Sequence, residues 1–521
     1  MADPITFDSI DVSMSTTLQD TGLKPQPDSS FRILILGDFS GRANRGVDSR
    51  DPDIGRRRIH RVDRDNLDAV MEKMAVSLNL DAAGSGAPPV ELSFTEMDDF
   101  HPDRIYRRSQ LFKSMKDLRK GVIKAETFAE IASRFSGKAK TPSQTGSEGA
   151  ISSPREPDFA GETHAGLLDQ VLDASAPASA GPGKTGPQTD WDRFLADIVS
   201  PHLVPDIAKE QDAMVGAVDR TISEIMGRLL HHPDFQAVES AWRGLDYCLR
   251  RLETGEKLEV CLLDVTKTEL ASDLTACEDL RDTALHNKLA APFRRQGGQA
   301  SWSLLAGMYH FLPTKTDAVV LARMGAMGQM LGAAVIGGAD PGFVGCPSLF
   351  EAPDPSDWTL EPDPADRQAW QVLRTLPEAR WIGLALPRFI VRWPYGADTD
   401  PLEAFAFEEM NDPVNHEDYL WANPVFALVL VFGRTFARNG RDWSRGLVSD
   451  VSDLPLHVFT DRGERGIKPC GEAFLSDRAI EKMVACGLMP LVSFRDEGRI
   501  QLVRFQSVAA TASPLAGPWT V

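Results

Sequence analysis

The residues of this 521-residue chain whose types could do chemistry are scattered, and few of them fall at working distances in sequence. The most suggestive run is Ala178–Thr185 (ASAGPGKT), which satisfies the degenerate phosphate-loop pattern of Ala or Gly, four residues, then GK and Ser or Thr. Such a loop works only between a strand and a helix, where backbone N–H groups converge on the phosphates. Here both flanks are rich in Gly, Pro and Ser, and Pro182 sits inside the loop, so nucleotide binding is not expected. Gly37 and Gly41 follow an apolar run, but they are too far apart for GxGxxG and no GK pair follows. His231-His232 lacks the further ligands a metal needs and reads as a loop or helix end. Asp98-Asp99 and Glu408-Glu409 are neighbours in sequence. A strand would send each pair to opposite faces, and a helix would set them about 100° apart, so neither is preset as an acid–base couple. There is no HExxH and no GxSxG. No catalytic, cofactor-binding or metal residue is therefore assigned, no cofactor is expected, and an enzyme is the remote reading. Arg388 and Arg392 stand among apolar residues and need acidic partners if buried; Glu408 and Glu409 follow soon after.

Composition narrows the rest. A hydrophobic content of 42% supports sizeable cores, and a net charge of −19 argues against nucleic-acid binding. No run of about 18 apolar residues predicts a transmembrane helix, and MADPITFDSIDVSM lacks the basic and apolar regions of a secretory signal, so a cytoplasmic protein is expected. The six cysteines (Cys248, Cys261, Cys277, Cys346, Cys470 and Cys486) form no CxxC pair and read as small buried thiols in a reducing compartment.

The elements that must position these residues alternate between strand and helix periods. The central stretch runs from Trp381 to Leu428. Ile382, Leu384 and Leu386 alternate with Gly383 and Ala385 as a buried strand, ended by Pro387 and turned again at Pro394-Tyr395-Gly396. Upstream, Phe31–Leu36 predicts a strand, and 63–74 a helix with Leu67, Val70, Met71 and Met74 on one face, capped by Asp63 or Asp65. Val90, Leu92 and Phe94 form a second strand, and a helix follows Pro102 through Phe112. Arg56–Arg58 and Arg61 read as a solvated loop or a protein interface. Residues 1–30 are a flexible segment, and 31–136 form one unit. Residues 137–190 shift to Gly, Pro, Ser, Thr and Ala and read as a flexible linker. Leu167, Leu168, Val171 and Leu172 interrupt it as a short helix over 165–173. Residues 191–510 form a second unit. It opens on Val215, Val218, Ile222, Ile225 and Leu229 at helical spacing and continues with a helix anchored by Trp242. Met324, Met327 and Met330 are spaced as a core helix face. Residues 350–370 are read as surface, the segment after Leu454 as a strand, a helix and a two-strand hairpin, and 511–521 as an ordinary tail.

Several blocks, in this order, resemble the contractile-sheath proteins of the bacterial type VI secretion system. ILILGDFSGR, VDRDNLDAVM and PVELSFTEMDDFHPD are similar to the start of the small sheath subunit. HHPDFQAVESAWRGLDYCL, WIGLALPRFIVRWPYG, FAFEE, YLWANPVFAL, DLPLHVF and SDRAIEKMVACGLMPLV are similar to the large subunit. The resemblance implies a mixed α/β fold of two sheath-like units joined by a flexible linker, and a mechanical role. In that family the subunits assemble a tube around an inner-tube protein and drive its ejection, and an AAA+ ATPase grips a short helix near the large subunit's N-terminus. Leu167–Leu172 lies where that helix would sit. The chain departs from the family in joining both regions and in ending soon after IQLVRFQSV, where the large subunit continues. This implies either a sheath component assembling with itself or with other sheath subunits, or a non-contracting accessory that caps, nucleates or regulates assembly.

Overall fold

The computed structural model describes residues 5–7, 10–12, 30–48, 53–81, 89–123, 207–291, 294–295, 298–299, 301–410, 414–461 and 464–519. The Ala178–Thr185 run and the Leu167–Leu172 island lie outside the described residues. The described residues divide into two compact units. One takes those of 1–85, 89–112 and 222–521, and the other those of 113–221.

In the larger unit the strands are β1 (Ile5–Phe7), β2 (Ile10–Val12), β3 (Phe31–Gly37), β4 (His60–Val62), β5 (Val76–Leu80), β6 (Val90–Phe94), β7 (Leu258–Asp264), β8 (Arg294–Arg295), β9 (Gly298–Gln299), β10 (Leu304–Phe311), β11 (Ala334–Ala339), β12 (Ile382–Leu386), β13 (Phe389–Ile390), β14 (Trp421–Ala422), β15 (Asp450–Val451), β16 (His457–Asp461), β17 (Glu464–Lys468), β18 (Leu488–Ser493) and β19 (Ile500–Leu502). Nine of them form one sheet in the order β15-β19-β18-β12-β11-β10-β3-β7-β4. From β18 to β7 all neighbours are parallel, and antiparallel strands close both edges.

A parallel sheet is covered on both faces, so its strands must be apolar throughout. Every residue of β3 (FRILILG) is buried, and so is every residue of β12. The small residues of β12 are not its solvent face. A Cβ on Gly383 would stand 2.6 Å from Met489 Cε, so the second face is packed too. Strand β3 pairs with β7 from Phe31↔Leu258 to Gly37↔Asp264, and on its other side with β10 from Leu304↔Ile33. The first hundred residues thus supply a central strand to a sheet otherwise built by residues 258–502 and edged by β4.

The helices in chain order are α1 (Leu67–Met74), α2 (Pro102–Arg108), α3 (Gln110–Ile123), α4 (Ile207–Leu230), α5 (Pro233–Leu249), α6 (Lys267–Ala276), α7 (Ala284–Ala290), α8 (Lys315–Leu331), α9 (Pro364–Thr375), α10 (Val425–Asn439) and α11 (Asp477–Ala485). Helix α10 is buried over Val425–Gly433 and lies between the sheet and α5. The two helices approach closely because each offers a glycine: Gly244 faces Phe426, and Gly433 faces Leu252. Trp242 of α5 is fully buried. Its Nε1 donates to Phe39 O at 2.8 Å, tying the helix to the turn after β3. Met324 and Met327 are buried on α8, with Met330 packed against the same core.

Several expectations need revising. Neither Asp63 nor Asp65 caps α1; Asn66 precedes it, while Asp63 accepts the Asp65 and Asn66 amides in the turn before. Strand β6 pairs with β5 (VSLNL), an unforeseen strand whose Val76, Leu78 and Leu80 are buried, and together they form a separate hairpin. The helix after Pro102 breaks at Ser109, whose backbone is extended. The Asp/Pro-rich 350–370 region holds a buried Trp358, with Nε1 bonded to Ala352 O, and the start of α9, capped by Asp363. The C-terminal residues are not a plain tail. Leu515 and Trp519 are buried, and Trp519 stacks on Trp443 at 4.0 Å and 4°. In the smaller unit, Arg119 of α3 pairs with Asp219 of α4 at 2.6 Å.

Candidate functional site

The densest cluster of ionisable groups gathers where the central stretch meets α5. Arg392 lies just after β13 and is 8% exposed. It forks onto Glu409 with two bonds of 2.7 and 2.8 Å, and its Nε reaches Glu239 of α5 at 3.0 Å. Glu239 also accepts Arg243 Nε at 2.6 Å, Arg243 donates to the Tyr395 hydroxyl at 3.0 Å, and the Tyr395 amide donates to Glu409 at 2.7 Å. His231, at the end of α4, sits 3.7 Å from Glu409 and 3.4 Å from Asp418. Burial pushes the Glu409 carboxyl up, but the Arg392 charge, the nearby His231 and the bonds from Arg392 and the Tyr395 amide outweigh it and hold it at about 2. Burial pulls the Arg392 guanidinium down, and Glu239 and Glu409 together push it well above its ordinary value. Burial drives the Tyr395 phenol up to about 12. Arg392 and Arg243 are matched by Glu239 and Glu409, so the cluster holds three chain segments together.

Arg392 and Glu409 thus meet as the sequence suggested. Arg388 takes other partners: Glu472 at 2.7 Å and Glu417 at 3.2 Å. Glu408 instead accepts the Ala397 amide at 2.9 Å. The Asp98-Asp99 pair splits by role. Asp99 is buried and accepts the Thr95 amide at 2.8 Å, while Asp98 is exposed. His232 caps α5 by accepting the Asp234 amide. Glu239 and Glu472 escaped notice, although Glu239 carried a signal: it stands four residues after Phe235 and three before Trp242, on the buried stripe of α5.

At the carboxyl end of β3, where an open parallel sheet binds ligands in other folds, the turn is filled by the chain's own acids. Asp264 accepts the Phe39 and Ser40 amides at 2.9 and 3.2 Å, and Asp38 accepts those of Arg42 and Ala43. Arg42 and Arg57 converge on Glu269, so Arg57 belongs to this knot, whereas Arg56 and Arg58 are exposed. The cysteines are free, with Cys277 and Cys486 partly exposed and the other four buried. Among the described residues no group of three or more His, Cys, Asp or Glu is placed to hold a metal, and no helix is long and apolar enough to cross a membrane. An open groove beside β19 is lined by Leu447, Leu502, Phe505 and Pro514, with Arg504 its one ionisable side chain.

A nine-stranded sheet assembled from both ends of the chain, with matched charges inside it, has the character of a scaffold. Residues 212–509 match the VipB family, described as the tail sheath N-terminal domain. Residues 12–131 match the VipA family of the type VI secretion system. The first match spans more than half the chain, which therefore belongs to the tail sheath family. The type VI secretion system sheath protein TssC1 of Pseudomonas aeruginosa is 33% identical over 315 residues, covering 59% of this chain and 63% of that protein. The chain thus spans under two thirds of the length of its curated relative.

Proposed function

We propose that this chain is a structural component of a type VI secretion sheath or a sheath-like assembly, with the small-subunit-like and large-subunit-like regions joined as one subunit. One observation carries the reading: β3, from the stretch matching VipA, lies between β7 and β10, from the stretch matching VipB. Two families whose matches follow one another along this chain build a single sheet. Residues 137–190 act as the tether, keeping both regions at high effective concentration. The proposal extends to packing against other sheath subunits and around an inner-tube protein in the cytoplasm, with no catalytic role. It also extends to an AAA+ ATPase that grips Leu167, Leu168, Val171 and Leu172 during disassembly.

The test is electron microscopy of the purified chain, alone and co-expressed with the inner-tube protein. Tubes are expected; small particles alone would transfer the reading to an accessory that caps, nucleates or regulates a sheath. Adding the ATPase and ATP to such tubes tests the last part. Tubes lacking residues 162–176 are expected to persist, and equal disassembly with and without that segment would remove it.

A further inference from the structure

Strands β16 and β17 pair with each other and, among the described residues, with nothing else. A lone two-stranded ribbon is marginal in water, so its place depends on side chains at its base. Within the ribbon, the Phe459 ring covers Gly466, its cross-strand partner; a Cβ there would stand 2.7 Å from Phe459 Cζ. The basal pair is His457↔Lys468, whose side chains leave the same face. His457 Nδ1 lies 2.7 Å from the Tyr419 hydroxyl, and Lys468 Nζ lies 2.6 Å from His416 Nδ1. Both anchors, His416 and Tyr419, sit on the short segment leading into β14.

The chemistry assigns the proton at one of these contacts. Burial pushes the Tyr419 phenol up, so it stays neutral, and its hydroxyl can donate to a bare His457 Nδ1 or accept from a protonated one. An ammonium can only donate, so His416 Nδ1 accepts from Lys468. The Phe350 ring lies flat on His416 at 4.3 Å and 14°, with Lys468 Nζ 4.1 Å from its centre, and Trp421 flanks both. On the far side, His416 Nε2 faces Glu472 at 3.8 Å and Glu417 at 3.9 Å, both held by Arg388. Behind Tyr419 stand Glu409, His231 and Asp418.

We propose that the Lys468–His416 contact is a proton-operated clasp: the base of the hairpin His457–Lys468 is held while His416 Nδ1 accepts from the ammonium, and it loosens when that atom takes a proton. Protonated His416 would set an N–H against the Lys468 ammonium, two donors and two positive charges with no acceptor between them. At the His457–Tyr419 contact, burial holds His457 down and Glu409 acts the opposite way, and the hydroxyl can bond either protonation state, so that contact stays in place. Burial lowers the Lys468 amine to about 8 against the pull of Glu472 and Glu417. Its neutral form above that pH still donates, so the clasp opens only on the acid side.

Hydrogen–deuterium exchange on the full chain, corrected for the intrinsic pH dependence, tests this with the β12 amides as reference. Protection of the β16–β17 amides is expected to fall at least tenfold between about pH 7.5 and 5.5 while β12 holds. The midpoint is expected to coincide with titration of His416, read from exchange at the imidazole C2. The variant His416→Gln keeps an acceptor that cannot be protonated and is expected to stay protected at pH 5.5. Constant protection in the native chain, a midpoint away from that of His416, or an unchanged loss in the His416→Gln variant would overturn the clasp.

Discussion

At the scale of single residues, the informative groups are those whose charge is set by neighbours from distant parts of the chain. Glu409 is the clearest. Its carboxyl stands near 2 in the folded protein against an ordinary 4.5, because Arg392, His231 and the Tyr395 amide favour the anion more than burial disfavours it. A depressed carboxylate contributes stability that is complete above its unfolded value and lost as pH falls through its folded one. The window is therefore about pH 4.5 down to about 2, and Glu472, also held at about 2, adds to it. Glu409→Gln leaves Arg392 buried with only Glu239 opposite, so a loss of about 3–5 kcal/mol is expected at pH 7. The same variant is expected to show a shallower decline in stability below about pH 4.5. Urea unfolding from pH 7 to 3 measures both, and an acid limb parallel to the native one would show that Glu409 is not held as described. This pair was legible beforehand, since two arginines among apolar residues beside an EE pair demand a partner. The choice of Glu409 over Glu408 was not, because it depends on which carboxylate the chain turns inward at Tyr395.

At the scale of elements, the sequence revealed runs better than it revealed pairings. FRILILG reads as a strand from an apolar run interrupted by Arg32, and WIGLAL from its alternation; every residue of β3 and of β12 is buried, as a sheet covered on both faces requires. Their neighbours could not be read, because the partners of β3 lie more than two hundred residues away and parallel register leaves no local turn signal. Strands β5 (VSLNL) and β17 (ERGIK) were missed. Strand β17 is a polar member of a two-stranded ribbon, about which propensity says little, whereas β5 carries the period-2 signal, with Val76, Leu78 and Leu80 buried and Ser77 and Asn79 between them. Contacts between helices were equally invisible, although the glycines hinted at them. Gly244 lies in the interior of α5, where alanine is ordinarily better by about 1 kcal/mol. Here a Cβ would stand 2.4 Å from the fully buried Phe426 ring of α10. Packing outweighs propensity at that distance, so Gly244→Ala is expected to destabilise by about 1–3 kcal/mol. Thermal or urea unfolding decides the sign, and a stabilised variant would mean that α5 and α10 have room between them.

At the scale of the whole molecule, the order of strands determines which parts of the chain can stand alone. Residues 30–37 fill the gap between β7 and β10, every one of β3's seven residues is buried, and Trp242 of α5 is bonded to the turn that follows. Without β3, the strands β7 and β10 would each present an unpaired apolar edge, the arrangement most prone to aggregation. Residues 207–521 expressed alone are therefore expected to be insoluble. Co-expression with residues 1–123 as a separate chain is expected to restore a soluble complex, because β3 can dock from another polypeptide as readily as from its own. The covalent connection then sets how readily the two parts meet, and diluting the two-chain complex is expected to dissociate it where the single chain stays folded. Size-exclusion chromatography across a dilution series measures this. A soluble, folded 207–521 fragment would show that the sheet closes without its central strand, and the reading of this chain as one subunit built from two sheath regions would fail with it.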